Sequence, residues 1–97
     1  NDEKILNEDD KGTFEELQGK IYKAGPGGVI KLEKDYVCED GFRSDGITIY
    51  KSLTVYGQGH TIDAQKKTRI FYISAKNVIV KNITFINFVF LIFFHLY

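Results

Sequence analysis

The sequence predicts an all-β fold: a single-stranded parallel β-helix (solenoid) of two to three coils, closed at one end by a short α-helix. Two observations predict it. Apolar-alternating triplets return every 23 to 25 positions, as Ile30-Lys31-Leu32, Leu53-Thr54-Val55 and Val78-Ile79-Val80. Three separate strand positions also share nearly one shift: Ile47 leads to Phe71 after 24 residues, Leu53 to Val78 after 25, and Ile62 to Phe85 after 23. No such strand buries its apolar face alone, and stacking is how a chain makes one continuous core from short repeated strands. A small sandwich of hairpins is the structural alternative, and it requires no common shift.

Residues 1–12 read as an acidic, flexible leader. Seven of the 13 acids fall within residues 1–16, against Lys4 and Lys11, and such a segment is usually solvated. A capping helix over residues 13–25 follows. Thr13-Phe14-Glu15-Glu16 has capping-box spacing, in which the Thr hydroxyl and the Glu carboxylate each satisfy a free backbone N–H. Phe14, Leu17, Ile21 and Ala24 form one apolar stripe, and Gly25-Pro26-Gly27-Gly28 ends the helix. The stripe needs a hydrophobic partner, which the open end of a strand stack supplies.

Residues 28–87 read as the coils, because the hydrophobic pattern changes there to period two. Turn chemistry separates the strands: Asp40-Gly41 and Asp45-Gly46 bracket a polar loop, Gly57-Gln58-Gly59 interrupts the middle, and Ala75-Lys76-Asn77 precedes the last coil.

The wording of these segments carries a resemblance. Residues 46–64, GITIYKSLTVYGQGHTIDA, together with the Thr-Phe-Glu-Glu-Leu helix start, the Gly-Gly-Val-Ile-Lys-Leu strand and residues 77–87, NVIVKNITFIN, resemble adhesin-like surface proteins of methanogenic archaea. The resemblance spans about residues 12 to 87. It implies a right-handed β-helix of pectate-lyase-like architecture, and a large, secreted protein of many coils held at the cell envelope. Its implied localisation is extracellular, at the cell surface, with this segment as the N-terminal cap and first coils of a structural or adhesive element.

Residues 88–97, FVFLIFFHLY, depart from the pattern and read as an atypical apolar tail, truncated or frame-shifted. Ten residues cannot span a bilayer as a helix, which needs about 20, so no membrane span is expected. High β propensity, little charge and no proline make the tail, with the open end of the stack, a route to self-association.

Composition excludes further classes. The 97 residues make one small domain at most, and 13 basic residues balance 13 acidic ones, so nothing recruits nucleic acid. The single Cys38 forms no disulfide within the chain.

Site chemistry is sparse, and neither a catalytic residue, a cofactor nor a metal is expected. Gly57-Gln58-Gly59 lacks the third glycine and following helix of a phosphate loop. Glu39, Asp40 and Asp45 match no EF-hand spacing. His60 and His95 have no partners at ligand spacing, and Asp63 is a lone outward carboxylate. The alternative function, a fragment of a polysaccharide lyase or glycoside hydrolase, needs paired carboxylates or clustered acids on adjacent strands, which the outward positions do not supply. They supply aromatic and basic residues instead. Val29 and Lys31 fall beside Thr54 and Tyr56 and then Ile79 and Lys81, and Thr48 and Tyr50 fall near Tyr72. Tyr50, Tyr56 and Tyr72 are therefore the candidate contacts for a cell-surface glycan or a partner-cell surface. Asn82-Ile83-Thr84 is an N-glycosylation sequon, with an equal structural reading as the Asn of a tight bend.

Overall fold

The computed structural model describes residues 10–94. The leader expected over residues 1–12 therefore lies largely outside the described residues, as does His95. At Thr13 the capping box is formed: its hydroxyl accepts from the Glu16 amide at 3.1 Å, and the Glu16 carboxylate accepts from the Thr13 amide at 3.1 Å. Helix α1 spans Phe14–Lys23 and stops at Ala24, which is extended at φ −72°, ψ 136°. It is shorter than the 13–25 reading because Pro26 disfavours helical backbone at Gly25, and Gly28 N–H closes a turn onto the Gly25 carbonyl at 2.9 Å.

Ten short strands accompany it among the described residues: β1 (Gly12–Thr13), β2 (Gly28–Lys31), β3 (Tyr36–Val37), β4 (Ile47–Ile49), β5 (Leu53–Tyr56), β6 (Thr61–Asp63), β7 (Phe71–Ile73), β8 (Val78–Lys81), β9 (Thr84–Ile86) and β10 (Ile92–Phe94). They form three sheets, ordered β1-β3-β6-β9, β2-β5-β8 and β4-β7-β10, and every pairing is parallel. The register places Ile47 opposite Phe71, Leu53 opposite Val78 and Ile62 opposite Phe85. Within the segment set apart as a tail, β10 pairs with β7, Ile92 opposite Phe71.

This architecture corrects the expected class. The described residues form a small α/β domain, three separate sheets of short parallel strands plus one helix, and not an all-β β-helix solenoid with a capping helix at its end. The helix is a layer of the structure. Its buried Phe14, Leu17 and Ile21 belong to the same core as Leu32, Tyr36, Ile47, Phe71 and Ile73. A recurring shift of 23 to 25 residues specifies parallel partners and their register. It does not specify which elements share the core, and that is what sets the class.

Burial follows the alternation within strands. In β5, Leu53 and Val55 are buried while Thr54 and Tyr56 are half-buried; in β7, Phe71 and Ile73 are buried around Tyr72. β4 is buried at all three residues, because the side of Thr48 that faces away from β7 is covered by α1 through Gln18. The last strands are less covered: Val78, Val80, Ile83, Phe85, Leu91 and Ile92 are half-buried, and Ile79, Ile86, Phe88, Val89, Phe90 and Phe94 are exposed.

One residue of α1 goes against helix energetics. Gly19 sits mid-helix, where glycine costs roughly 0.5–1 kcal/mol relative to alanine. A Cβ there would meet nothing within 4 Å, so no neighbour requires the glycine.

Candidate ligand-binding face

The outward residues of β2, β5 and β8 build a row across the sheet. Alternation turns Ile30 and Val55 inward, which leaves Lys31, Tyr56 and Lys81 on the outer face. Parallel pairing aligns them in register, Lys31 with Tyr56 and Tyr56 with Lys81, and adjacent strands lie about 4.8 Å apart. The Lys81 ammonium sits 6.0 Å from the centroid of the Tyr56 ring, at the outer range of a cation–π contact. The row is thus one aromatic ring flanked on both sides by positive charge.

Two residues past the strand ends extend this row into a concavity. Gln58 and Asn82 adopt left-handed backbone, φ 55° and 56°, which asparagine tolerates and glutamine less often. Gln58 is held there because its side-chain amide donates to the Leu32 carbonyl at 2.8 Å. Lys31, Tyr56, Gln58 and Asn82 then line an open cavity of about 470 Å³. The amides of the glycine turn are spent on the neighbouring strand, Gly57 N–H on the Lys81 carbonyl (2.7 Å) and Gly59 N–H on the Asn82 carbonyl (2.9 Å). Both amides are therefore already satisfied by backbone carbonyls. Asn82 itself lines the cavity, so a glycan on its side-chain nitrogen would sit over Tyr56.

The three tyrosines singled out in the sequence do not form one surface. Tyr56 lies on the β2-β5-β8 face. Tyr72 lies half-buried in β7, in register with Thr48 within the separate β4-β7-β10 sheet, and Tyr50 is 61% exposed just after β4. Lys31 and Lys81 complete the row on either side of Tyr56, and their spacing of 25 residues from it was the signal for them. Gln58 gave no such signal, since its contribution depends on a backbone angle.

Four of the carboxylates that the sequence drew attention to are each engaged separately. Glu39 accepts the Phe14 and Glu15 amides at 2.9 and 3.1 Å, capping α1 from a distant loop. Asp40 pairs with Lys67, and Asp45 with Arg69 at 3.7 Å. Asp63 accepts the Gln65 amide at 2.8 Å and the Asn87 side chain at 3.1 Å. Among the described residues, no three of His, Cys, Asp and Glu are grouped to hold a metal. Cys38 is buried at 3% exposure, and burial pushes its thiol pKa up, away from the reactive thiolate.

Asp35 carries the other notable electrostatic contact. Its carboxylate accepts the Thr61 amide at 2.9 Å and lies 3.1 Å from His60 Nδ1. The Thr61 hydrogen bond holds its pKa below the ordinary value, with partial burial opposing and His60 and Lys11 assisting. A depressed folded pKa stabilises the fold above the unfolded carboxylate value of about 3.9, and this contribution is lost as pH falls through the folded value. Asp35→Asn should therefore flatten the acid-side decline of the urea midpoint. The effect is small because the Asp35 side chain is 40% exposed. Superimposable pH profiles for the two proteins would remove Asp35 from the acid response.

Comparison with protein-family models, with curated proteins and with solved structures finds no match. Among the described residues no helix is long and apolar enough to cross a membrane.

Proposed function

We propose that this chain is a non-enzymatic binding module of an extracellular, adhesin-like surface protein, and that its β2-β5-β8 face holds an anionic saccharide of a cell-surface glycan. The observation that carries the reading is the in-register row Lys31, Tyr56, Lys81 above the cavity closed by Gln58 and Asn82. A tyrosine ring offers a flat apolar surface for the C–H face of a sugar ring together with a polar rim. Two lysines on the same line meet carboxylate or sulfate groups along the polymer, and the Gln58 and Asn82 side chains add hydrogen-bonding capacity. The lining of this cavity, Lys31, Tyr56, Gln58 and Asn82, contains no carboxylate, which favours binding over glycan cleavage, since cleavage requires two acids to cooperate across one bond.

Titration with oligogalacturonate and with a sulfated oligosaccharide, followed by calorimetry, tests the proposal. Binding should weaken with salt. Tyr56→Ala should weaken it about tenfold, equivalent to about 1.4 kcal/mol. Lys31→Gln with Lys81→Gln should remove most of the salt dependence, and Tyr50→Ala should leave affinity unchanged. Absence of binding to either saccharide, or equal affinity for wild type and Tyr56→Ala, would reject this face as the site.

A further inference from the structure

The outer stripe of α1 faces a groove that the β2-β5-β8 face does not share. Glu15, Gly19 and Tyr22 follow one another at i, i+4 and i+7, and across from them run residues 39–43 of the loop between β3 and β4. Together they enclose a groove of about 410 Å³, within the usual size range of small-ligand pockets, roughly 300–1,000 Å³.

The groove is rigidly built. Glu39 ties one end of the loop to the first turn of α1 through the Phe14 and Glu15 amides. Arg43 ties the other end through a 3.1 Å hydrogen bond to Gln18, and its carbonyl accepts from the Thr68 hydroxyl at 2.9 Å. Phe42 packs edge-on against the buried Phe14 ring at 5.5 Å, with the Arg43 guanidinium 5.2 Å from its own ring centroid. The floor is Gly19, an unfavourable residue for a helix interior that no packing neighbour explains. Any larger residue at that position would project into the groove.

We propose that this groove is a second binding site, for a neutral oligosaccharide. The chemistry on its walls is mixed rather than of one sign. Arg43 has five N–H donors and, among the described residues, its guanidinium makes one hydrogen bond, to Gln18, besides its contact with the Phe42 ring. Among the described residues the Glu15 carboxylate has no hydrogen-bond or ion-pair partner, and Tyr22 is 56% exposed, presenting ring and hydroxyl. A sugar hydroxyl donates and accepts at once, so neighbouring hydroxyls satisfy Glu15 and Arg43 together while the C–H face of the ring lies on Tyr22. Glu15, Glu39 and Asp40 outnumber Arg43 on the groove walls and oppose an anionic polymer there, even with Asp40 paired to Lys67, whereas the two lysines beside Tyr56 attract one. The two sites therefore select different saccharides, and this site does not depend on the reading of the Tyr56 face.

The test is a ¹H–¹⁵N chemical-shift titration of the full chain with cellotriose, mannotriose and chitotriose at millimolar concentrations. One of these should move the amides of Gly19, Tyr22, Gly41 and Phe42. Gly19→Gln places a better helix former at the floor, so it should hold or raise the melting temperature while abolishing those shifts. Tyr56→Ala should leave them intact. The proposal is overturned if none of the three probes moves the groove amides, if the shifts persist in Gly19→Gln, or if they centre on Tyr56 instead.

Discussion

Gly46→Val should destabilise the chain by about 3–5 kcal/mol, a large part of the roughly 5–15 kcal/mol expected for a domain. Two costs combine. Gly46 has φ +90°, and L residues incur ~1–2 kcal/mol in left-handed backbone, with β-branched side chains at the unfavourable end. In addition, a Cβ at Gly46 would run into the carbonyls of Arg69 and Ile70, just before the neighbouring strand β7. The Ile70 carbonyl is already fixed, accepting from Ile47 N–H at 2.8 Å, so the overlap is relieved only by shifting backbone, at a further ~1–3 kcal/mol. Gly41→Val separates the two costs. Gly41 has φ +89°, and a Cβ there meets nothing within 4 Å, so this variant bears only the conformational part. Urea unfolding followed by circular dichroism measures both. Equal losses for the two variants would show that the close approach of Gly46 to residues 69 and 70 contributes nothing.

The same region shows what the sequence could and could not reveal. Asp45-Gly46 reads as a turn from composition, and the 24-residue step from Ile47 to Phe71 reads as a strand pairing, because turn propensity and side-chain alternation are local properties. The capping box at Thr13 was readable for the same reason. The expected class failed where the outcome depends on contacts distant in sequence. An amphipathic helix beside parallel strands can close one end or share their core, and only the packing of Phe14, Leu17 and Ile21 with Ile47 and Tyr36 decides between these arrangements. Glu39 as a cap for α1 is another such contact, 25 residues from Phe14 and marked by no motif.

The candidate binding sites divide along the same line. Lys31, Tyr56 and Lys81 share a face because strand period and register place them there, and both are readable from spacing. The cavity beneath them requires Gln58 and Asn82 to bend into left-handed backbone, and the groove on α1 requires the 39–43 loop to fold across Gly19. Row and cavity thus have different origins: periodic sequence makes the row, and irregular backbone makes the depth. Substitutions of Lys31 and Lys81 in the row should change affinity with little effect on stability, because both are exposed and lie outside the core.

Gln18 reverses that expectation, because it is a polar residue on which the join between helix and sheet depends. It is 4% exposed. Its carbonyl oxygen accepts the Thr48 amide at 2.8 Å, the Thr48 hydroxyl at 3.3 Å and Arg43 at 3.1 Å, while its amide nitrogen donates to the Thr48 carbonyl at 2.9 Å. One side-chain amide thereby takes the place of a neighbouring strand along the outer edge of β4, satisfying backbone groups that α1 would otherwise bury unpaired. Each buried backbone group left without a partner costs ~1–3 kcal/mol, so Gln18→Leu, which keeps most of the volume, should cost about 2–5 kcal/mol. Hydrogen exchange supplies the specific readout. Under conditions where Gln18→Leu remains folded, the Thr48 amide should lose protection while Ile47, bonded to the Ile70 carbonyl on the other side of the strand, keeps it. If the Thr48 amide stays protected in Gln18→Leu, or the variant is as stable as wild type, the helix is held to β4 by apolar packing alone.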